Sequence, residues 1–368
     1  MRSASRWTTP GVVRTLILTA AVAGLAGGAS VTGCTLFQSE QVKKGKALYE
    51  HYCMHCHGEN GRQNEGYNWR YMPDPKPKDL SNKEEMGTFK DEEIFAVISR
   101  DMKDTTPEIG DKIGEDEFAV PTMPTFKYTL SEEEIWDIVA YVRTLHGMKL
   151  TYDVEGRKKE LEAKLQEAQQ KYDQAQQAYD AAEKKANEEA EKKGVEVDES
   201  AYAKEQEALL VAKKEQEQAK AALANFTSRP KFPPVPKPDL TMTAEAAAQL
   251  VETGKRLYFN KYGCNGCHRI GEEGGTVGPA LDRAGFRLNT AWMYRWIKYP
   301  QSMKPETRMP NLGLSDADAK AVTMYLATLR APRPDQAVEK VHTDVMLNTQ
   351  NVSVNARNAG DVIDGSSS

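Results

Sequence analysis

Cys53-Met54-His55-Cys56-His57 and Cys264-Asn265-Gly266-Cys267-His268 are two copies of one spacing, Cys-x-x-Cys-His. That spacing is the attachment motif of a c-type haem. Two thiols one helical turn apart can both add to the vinyl groups on one edge of a porphyrin. The histidine that follows then falls beneath the iron as its proximal ligand. Cys53, Cys56, Cys264 and Cys267 are four of the five cysteines in the chain. A zinc knuckle would want a further Cys or His pair near each copy, and none is present. A redox dithiol would want a βαβ pattern around it, and the flanking residues show none. The expectation is two covalently bound c-type haems, with His57 and His268 on the iron.

Working outward, each copy sits among the same landmarks. Gly45-Lys46-Ala47-Leu48-Tyr49 precedes the first motif, and Gly254-Lys255-Arg256-Leu257-Tyr258 precedes the second. Each segment ends in a helix that starts with a serine and an acidic residue three positions on, Ser131/Glu134 and Ser315/Asp318, a capping-box-like start. Apolar residues then recur at helical spacing: Ile135, Ile138, Val139 and Val142 in one copy, Val322, Leu326 and Leu329 in the other. Tyr141-Val142-Arg143-Thr144-Leu145 mirrors Tyr325-Leu326-Ala327-Thr328-Leu329. The chain is an internal duplication.

Each half resembles a class I cytochrome c domain, a small helical fold around one haem. In that family an amino-terminal helix with a glycine and an aromatic crosses a carboxy-terminal helix with an aromatic. Gly45, Tyr49 and Tyr141 match those positions, as do Gly254, Tyr258 and Tyr325. The second half also resembles cytochrome subunits of membrane respiratory complexes, through Gly278-Pro279-Ala280-Leu281, Trp292, Trp296 and Thr307-Arg308-Met309-Pro310. The resemblance implies a distal methionine before the last helix, which is Met309 in the second half. Met123, in Pro121-Thr122-Met123-Pro124, is its counterpart in the first, with Met102 and Met86 as competitors there and Met303 in the second half. His51, His55 and His146 are the alternatives to Met123, and His51 and His55 read as surface histidines. Pro279 matches the family proline whose carbonyl holds the proximal histidine. Pro77 is the nearest first-half counterpart, with Pro75 also open. Trp292 and Trp296 either pack at the haem or fill the core, and core filling is the expected role.

Between the halves the sequence changes character. Residues 155–226 are rich in Ala, Glu, Lys and Gln and hold no proline. Leu161, Leu165, Ala168, Tyr172, Ala175, Tyr179, Ala182 and Ala186 alternate steps of four and three, a heptad seam. Gly194 breaks it, Asp198 or Ser200 caps a second arm, and Tyr202, Leu209, Ala212, Ala219, Leu223 and Phe226 repeat the seam more weakly. An antiparallel hairpin is expected, with two solvated arms as the alternative. Prolines crowd 230–238, a stiff linker.

The chain begins as an export signal. Arg2, Arg6 and Arg14 precede an apolar stretch from Leu16 to about Ala29, short for a membrane span. Val31-Thr32-Gly33-Cys34 resembles a bacterial lipobox, which makes Cys34 the lipidated residue; an uncleaved anchor is the alternative. Acyl chains at ~0.8 kcal/mol per buried methylene would hold the protein on a membrane.

The predicted fold is all-α: two class I cytochrome c domains joined by an antiparallel helical hairpin. The segments are a lipoprotein signal peptide (1–33), a first cytochrome domain (34–150), the hairpin (151–228), a Pro-rich linker (229–239), a second cytochrome domain (240–331) and a polar, disordered tail (332–368). A net charge of −5 gives no reason to expect nucleic acid. Residues 41–150 carry 15 basic and 21 acidic side chains, and residues 240–330 carry 12 and 8. Opposite signs suggest that the two halves, read as independent and held apart, face different redox partners. His/Met ligation closes both faces of an iron and favours electron transfer over bond making. The expected function is a lipid-anchored dihaem carrier for a membrane respiratory complex, facing the periplasm or cell exterior, with no enzyme activity of its own. The hairpin is then a spacer or a docking arm for protein contacts. A dihaem cytochrome c peroxidase is the alternative, and a coiled-coil protein with redox-sensing haem domains ranks third.

Overall fold

The computed structural model describes residues 39–72, 76–102, 123–232 and 234–331. The expected signal peptide, Cys34, the tail, Pro75, Pro121 and Thr122 lie outside the described residues. The first half is built from α1 (Glu40–Tyr52), α2 (Asp91–Ser99) and α3 (Glu132–Leu145). The insertion is α4 (Val154–Lys193) and α5 (Ala203–Thr227). The second half uses α6 (Ala244–Arg256), α7 (Thr290–Lys298) and α8 (Asp316–Thr328). Among the described residues the one strand-like feature is an isolated Ile270–Glu273 bridge.

Helices start where a side chain satisfies their first N–H groups. Ser39 accepts from Val42, Ser131 from Glu134, Thr243 from Ala246 and Ser315 from Asp318. Ser131 and Glu134 complete the reciprocal capping box. α4 stops at Gly194, whose left-handed φ of 64° only glycine adopts at little cost.

Each half is organised by one close helix crossing. α1 meets α3 at Gly45, where a Cβ would overlap the Asp137 carbonyl. α6 meets α8 at Gly254, where a Cβ would overlap the Ala321 carbonyl. The tyrosines fill the space beside each contact: the Tyr49 and Tyr141 rings lie 5.1 Å apart, the Tyr258 and Tyr325 rings 5.7 Å. Tyr49 then donates to the Gly58 carbonyl at 2.7 Å, and Tyr258 to the His268 carbonyl at 3.0 Å. The crossings thus hold the residue that follows or ends each Cys-x-x-Cys-His turn.

The insertion is an antiparallel hairpin rooted in the first half. Tyr179 and Tyr202 stack edge to face at 5.6 Å towards its tip, and Gln216 donates to Gln169 midway. At the root Val154, Leu161 and Phe226 enter the same core as Tyr49 and Trp136. A buried ion pair, Arg143 with Asp91 at 2.5 Å, ties α2 to α3; Asp91 also accepts from Thr151 and Tyr152 just before α4. Arg229 grips Glu134 with paired contacts near 2.9 Å, so the linker leaves from a fixed point. Phe232 stacks on Tyr299 at 4.4 Å, and Val235 packs on the second core.

The expectation of independent halves held apart is corrected here. All described residues belong to one packed unit. Met102 is 1% exposed within the core of the second half, which removes it as a first-half ligand candidate. Thr129 accepts from the Asn311 N–H at 2.9 Å, and Tyr128 lies against Gly313. Asn68 reaches Gly266 and Thr276. The insertion is long in sequence but folds back at its own root, which leaves the halves free to complete each other's buried polar groups.

Two predictions follow from the crossings. Gly45→Ala or Gly254→Ala forces the helices apart and should cost about 3 kcal/mol in urea unfolding, because overpacked backbone contacts cannot relax; wild-type stability in both would refute the crossing. Asp137, buried on α3, is pushed up to about 7 by burial, against the opposing pull of Lys44. From about pH 4 to pH 7 the folded protein keeps a proton that the unfolded chain has released, so stability falls as pH rises through that window. Asp137→Asn should therefore stabilise the protein by up to about 4 kcal/mol at pH 8, with the gain vanishing near pH 4.

Candidate haem sites

The second motif opens onto a cavity. Gly263, at φ 57°, turns the chain out of a π-helical turn, Leu257–Lys261, into a 3-10 turn at Cys264–Gly266. Cys267 and His268 both donate their N–H to the Cys264 carbonyl, at 3.2 and 2.9 Å. That turn sets Cys264, Cys267 and His268 on one wall of a cavity of ≈ 380 Å³. Pro279, Trp296 and Met309 line the same cavity. The size lies within the roughly 300–1,000 Å³ range of cofactor sites.

His268 is held for ligation. Its Nδ1–H donates to the Pro279 carbonyl at 2.8 Å, which leaves Nε2 to bind a metal. Gly278 presses on the ring so closely that a Cβ would overlap it. In the same lining the Trp296 indole N–H donates to the Met309 sulfur at 3.0 Å. Gln301 donates to the Met309 carbonyl at 2.8 Å, and Thr307 accepts from its N–H at 3.2 Å. Trp292 stacks on Trp296 at 5.2 Å and is 38% exposed. Both tryptophans line the site, so of the two roles left open the packing role replaces the expected core filling. Thioether, imidazole and paired thiols in one apolar cavity fit a c-type haem.

The first motif repeats the geometry. Cys56 and His57 donate to the Cys53 carbonyl at 3.1 and 3.0 Å. His57 Nδ1–H donates to the Lys78 carbonyl at 3.2 Å, so Lys78 takes the place expected of Pro77. A carbonyl accepts whatever its side chain, and only the loop's path decides which residue presents it. Met123 packs against the first core, and its carbonyl accepts from Arg100 at 3.0 Å. Its neighbour Pro124 lines the second cavity. Met86 is buried in the first core, and Met303 is 39% exposed outside the second.

The remaining histidines are corrected or removed. His55 is 2% exposed, with Nε2 bonded to the His51 carbonyl, and so is no surface residue. His146 spends Nδ1 on the Leu80 carbonyl. Burial holds His57 and His268 below the ordinary histidine range, in the neutral form that a metal needs. It also pushes Cys53, Cys264 and Cys267 up to about 12. A redox dithiol works through a thiolate of depressed pKa, and these environments do the opposite.

Residues 42–146 and 251–330, together just over half of the chain, match the family model described as Cytochrome c. No curated protein and no solved structure matches the chain. Sequence reading missed the Trp296–Met309 contact, the Lys78 carbonyl and Asn68. Tryptophan thirteen residues before a methionine follows no motif, so only the cavity reveals that pair. Gly278→Ala should displace the His268 ring and lower haem content from two per chain towards one, read by pyridine haemochrome; two haems retained would show that the ring tolerates the methyl group.

Proposed function

This chain belongs to the cytochrome c family, and we propose that it is a membrane-tethered carrier passing single electrons between respiratory redox proteins. It is an electron-transfer haem protein with two c-type haems, one for each matched segment. When bound, each haem supplies a one-electron iron couple. Everything else in the proposal concerns what the chain does around that couple.

In this reading Cys53 with Cys56 and Cys264 with Cys267 would hold the haems covalently, and His57, His268, Met123 and Met309 would supply the iron ligands. The Pro279 and Lys78 carbonyls orient the imidazoles and raise their basicity. The observation that carries the reading is Met309: its thioether shares the cavity of His268 and is fixed by Trp296 and Gln301. A thioether held there would keep water and peroxide from the iron, which would then exchange electrons without making bonds. Lipidation at Cys34 would place the protein on the outer side of the cytoplasmic membrane, with the hairpin as an arm for docking. The unequal charge of the halves would steer each towards a different partner.

The purified holoprotein should show a far-red sulfur-to-iron charge-transfer band at an intensity matching two haems. Met309→Ala should remove the contribution of the second site and lower its reduction potential. Peroxide turnover by the wild type, with one haem lacking the band, would replace the carrier with a peroxidase-type enzyme.

A further inference from the structure

We propose that Asn68 is a positioning residue that fixes the two haem-attachment turns against each other, so that electrons pass between the two sites within one chain. The inference rests on the carrier reading above and extends it from two separate sites to one coupled pair.

Asn68 is 0% exposed and belongs to the loop that follows the first motif. Its own N–H donates to the His55 carbonyl inside that motif, at 3.0 Å. Its side chain points into the other half. Nδ2–H donates to the Gly266 carbonyl, between Cys264 and Cys267, at 2.9 Å. The same nitrogen lies 3.5 Å from the Cys56 sulfur. Oδ1 accepts from the Thr276 N–H at 2.5 Å, in the loop that leads to Pro279. One buried amide therefore touches a thioether cysteine of the first site and the backbone of the second motif.

A further contact sets the two attachment turns against each other. Gly275 has no room for a Cβ, which would meet both the Gly266 carbonyl and Asn68 Oδ1. A buried amide pays its desolvation only when its donor and acceptor are both used, and here both are spent across the halves. Loss of that amide leaves the Gly266 carbonyl and Thr276 N–H without it, so the turns have no common reference. The transfer moves one electron between sites and makes or breaks no bond; its outer donor and acceptor are one-electron redox proteins.

The test is electron paramagnetic resonance of the fully oxidised, full-length holoprotein, together with haem content and the far-red band. Wild type should show spin–spin interaction between its two irons. Asn68→Ala should lose most of that interaction while keeping two haems and the far-red band. Thr129→Val, which weakens the same interface at Asn311, should keep it. If Asn68→Ala does not fold, Asn68→Asp decides: it retains the acceptor for Thr276 and loses the donor to Gly266, and it should likewise lose the interaction. An uncoupled wild type, or coupling unchanged in the folded Asn68 variant, overturns the proposal. A far-red band missing from the wild type strikes the carrier reading instead, so the two failures are distinct.

Discussion

The two helix crossings at Gly45 and Gly254 leave no room for a side chain, and the haem sites depend on them. With no side chain at either glycine, α3 and α8 approach until a carbonyl sits where a Cβ would be. The tyrosine one turn further on is then forced to lie along the crossing, and its hydroxyl reaches the end of the Cys-x-x-Cys-His turn. A single steric allowance thus places two thiols and an imidazole relative to a helix pair. The motif itself is only a local turn until the crossing fixes where it points.

The haem-bearing halves differ in how they are completed. The second gains a cavity that His268, Trp296 and Met309 line together. The first gains the root of the hairpin, where Phe226, Leu161 and the Phe95–Trp136–Tyr152 stack add apolar surface that a small haem domain lacks. Small domains bury too little of their surface to be comfortably stable alone. Embedding the root of α4 and α5 in the first core, and Met102 in the second, answers that shortage with elements borrowed from outside each repeat.

That sharing changes how the charge asymmetry reads. Arg229 binds Glu134 of the first half and stands 4.0 Å from Glu306 of the second. Arg308, beside Met309, adds to the burial that holds His51 and His55 neutral. The linker thus lends one positive charge to an acidic group on each half, and Arg308 of the second half faces the first.

The sequence alone determined the cofactor, the duplication, the helix starts and the hairpin. Each of these is written within a few residues: Cys-x-x-Cys-His spans one turn, a cap acts on N–H groups three positions away, and a heptad seam repeats along one face. Gly45 and Gly254 were legible for the same reason, as small residues one turn from an aromatic. The tertiary structure decided what no local spacing encodes. Lys78 replaced Pro77 because a carbonyl carries no sequence signature, and His55 is buried where it bonds the His51 carbonyl and lies against Tyr67. Asn68 meets Gly266 across 198 positions. Which polar groups are desolvated together depends on how the halves dock, and that is settled only when both cores have formed.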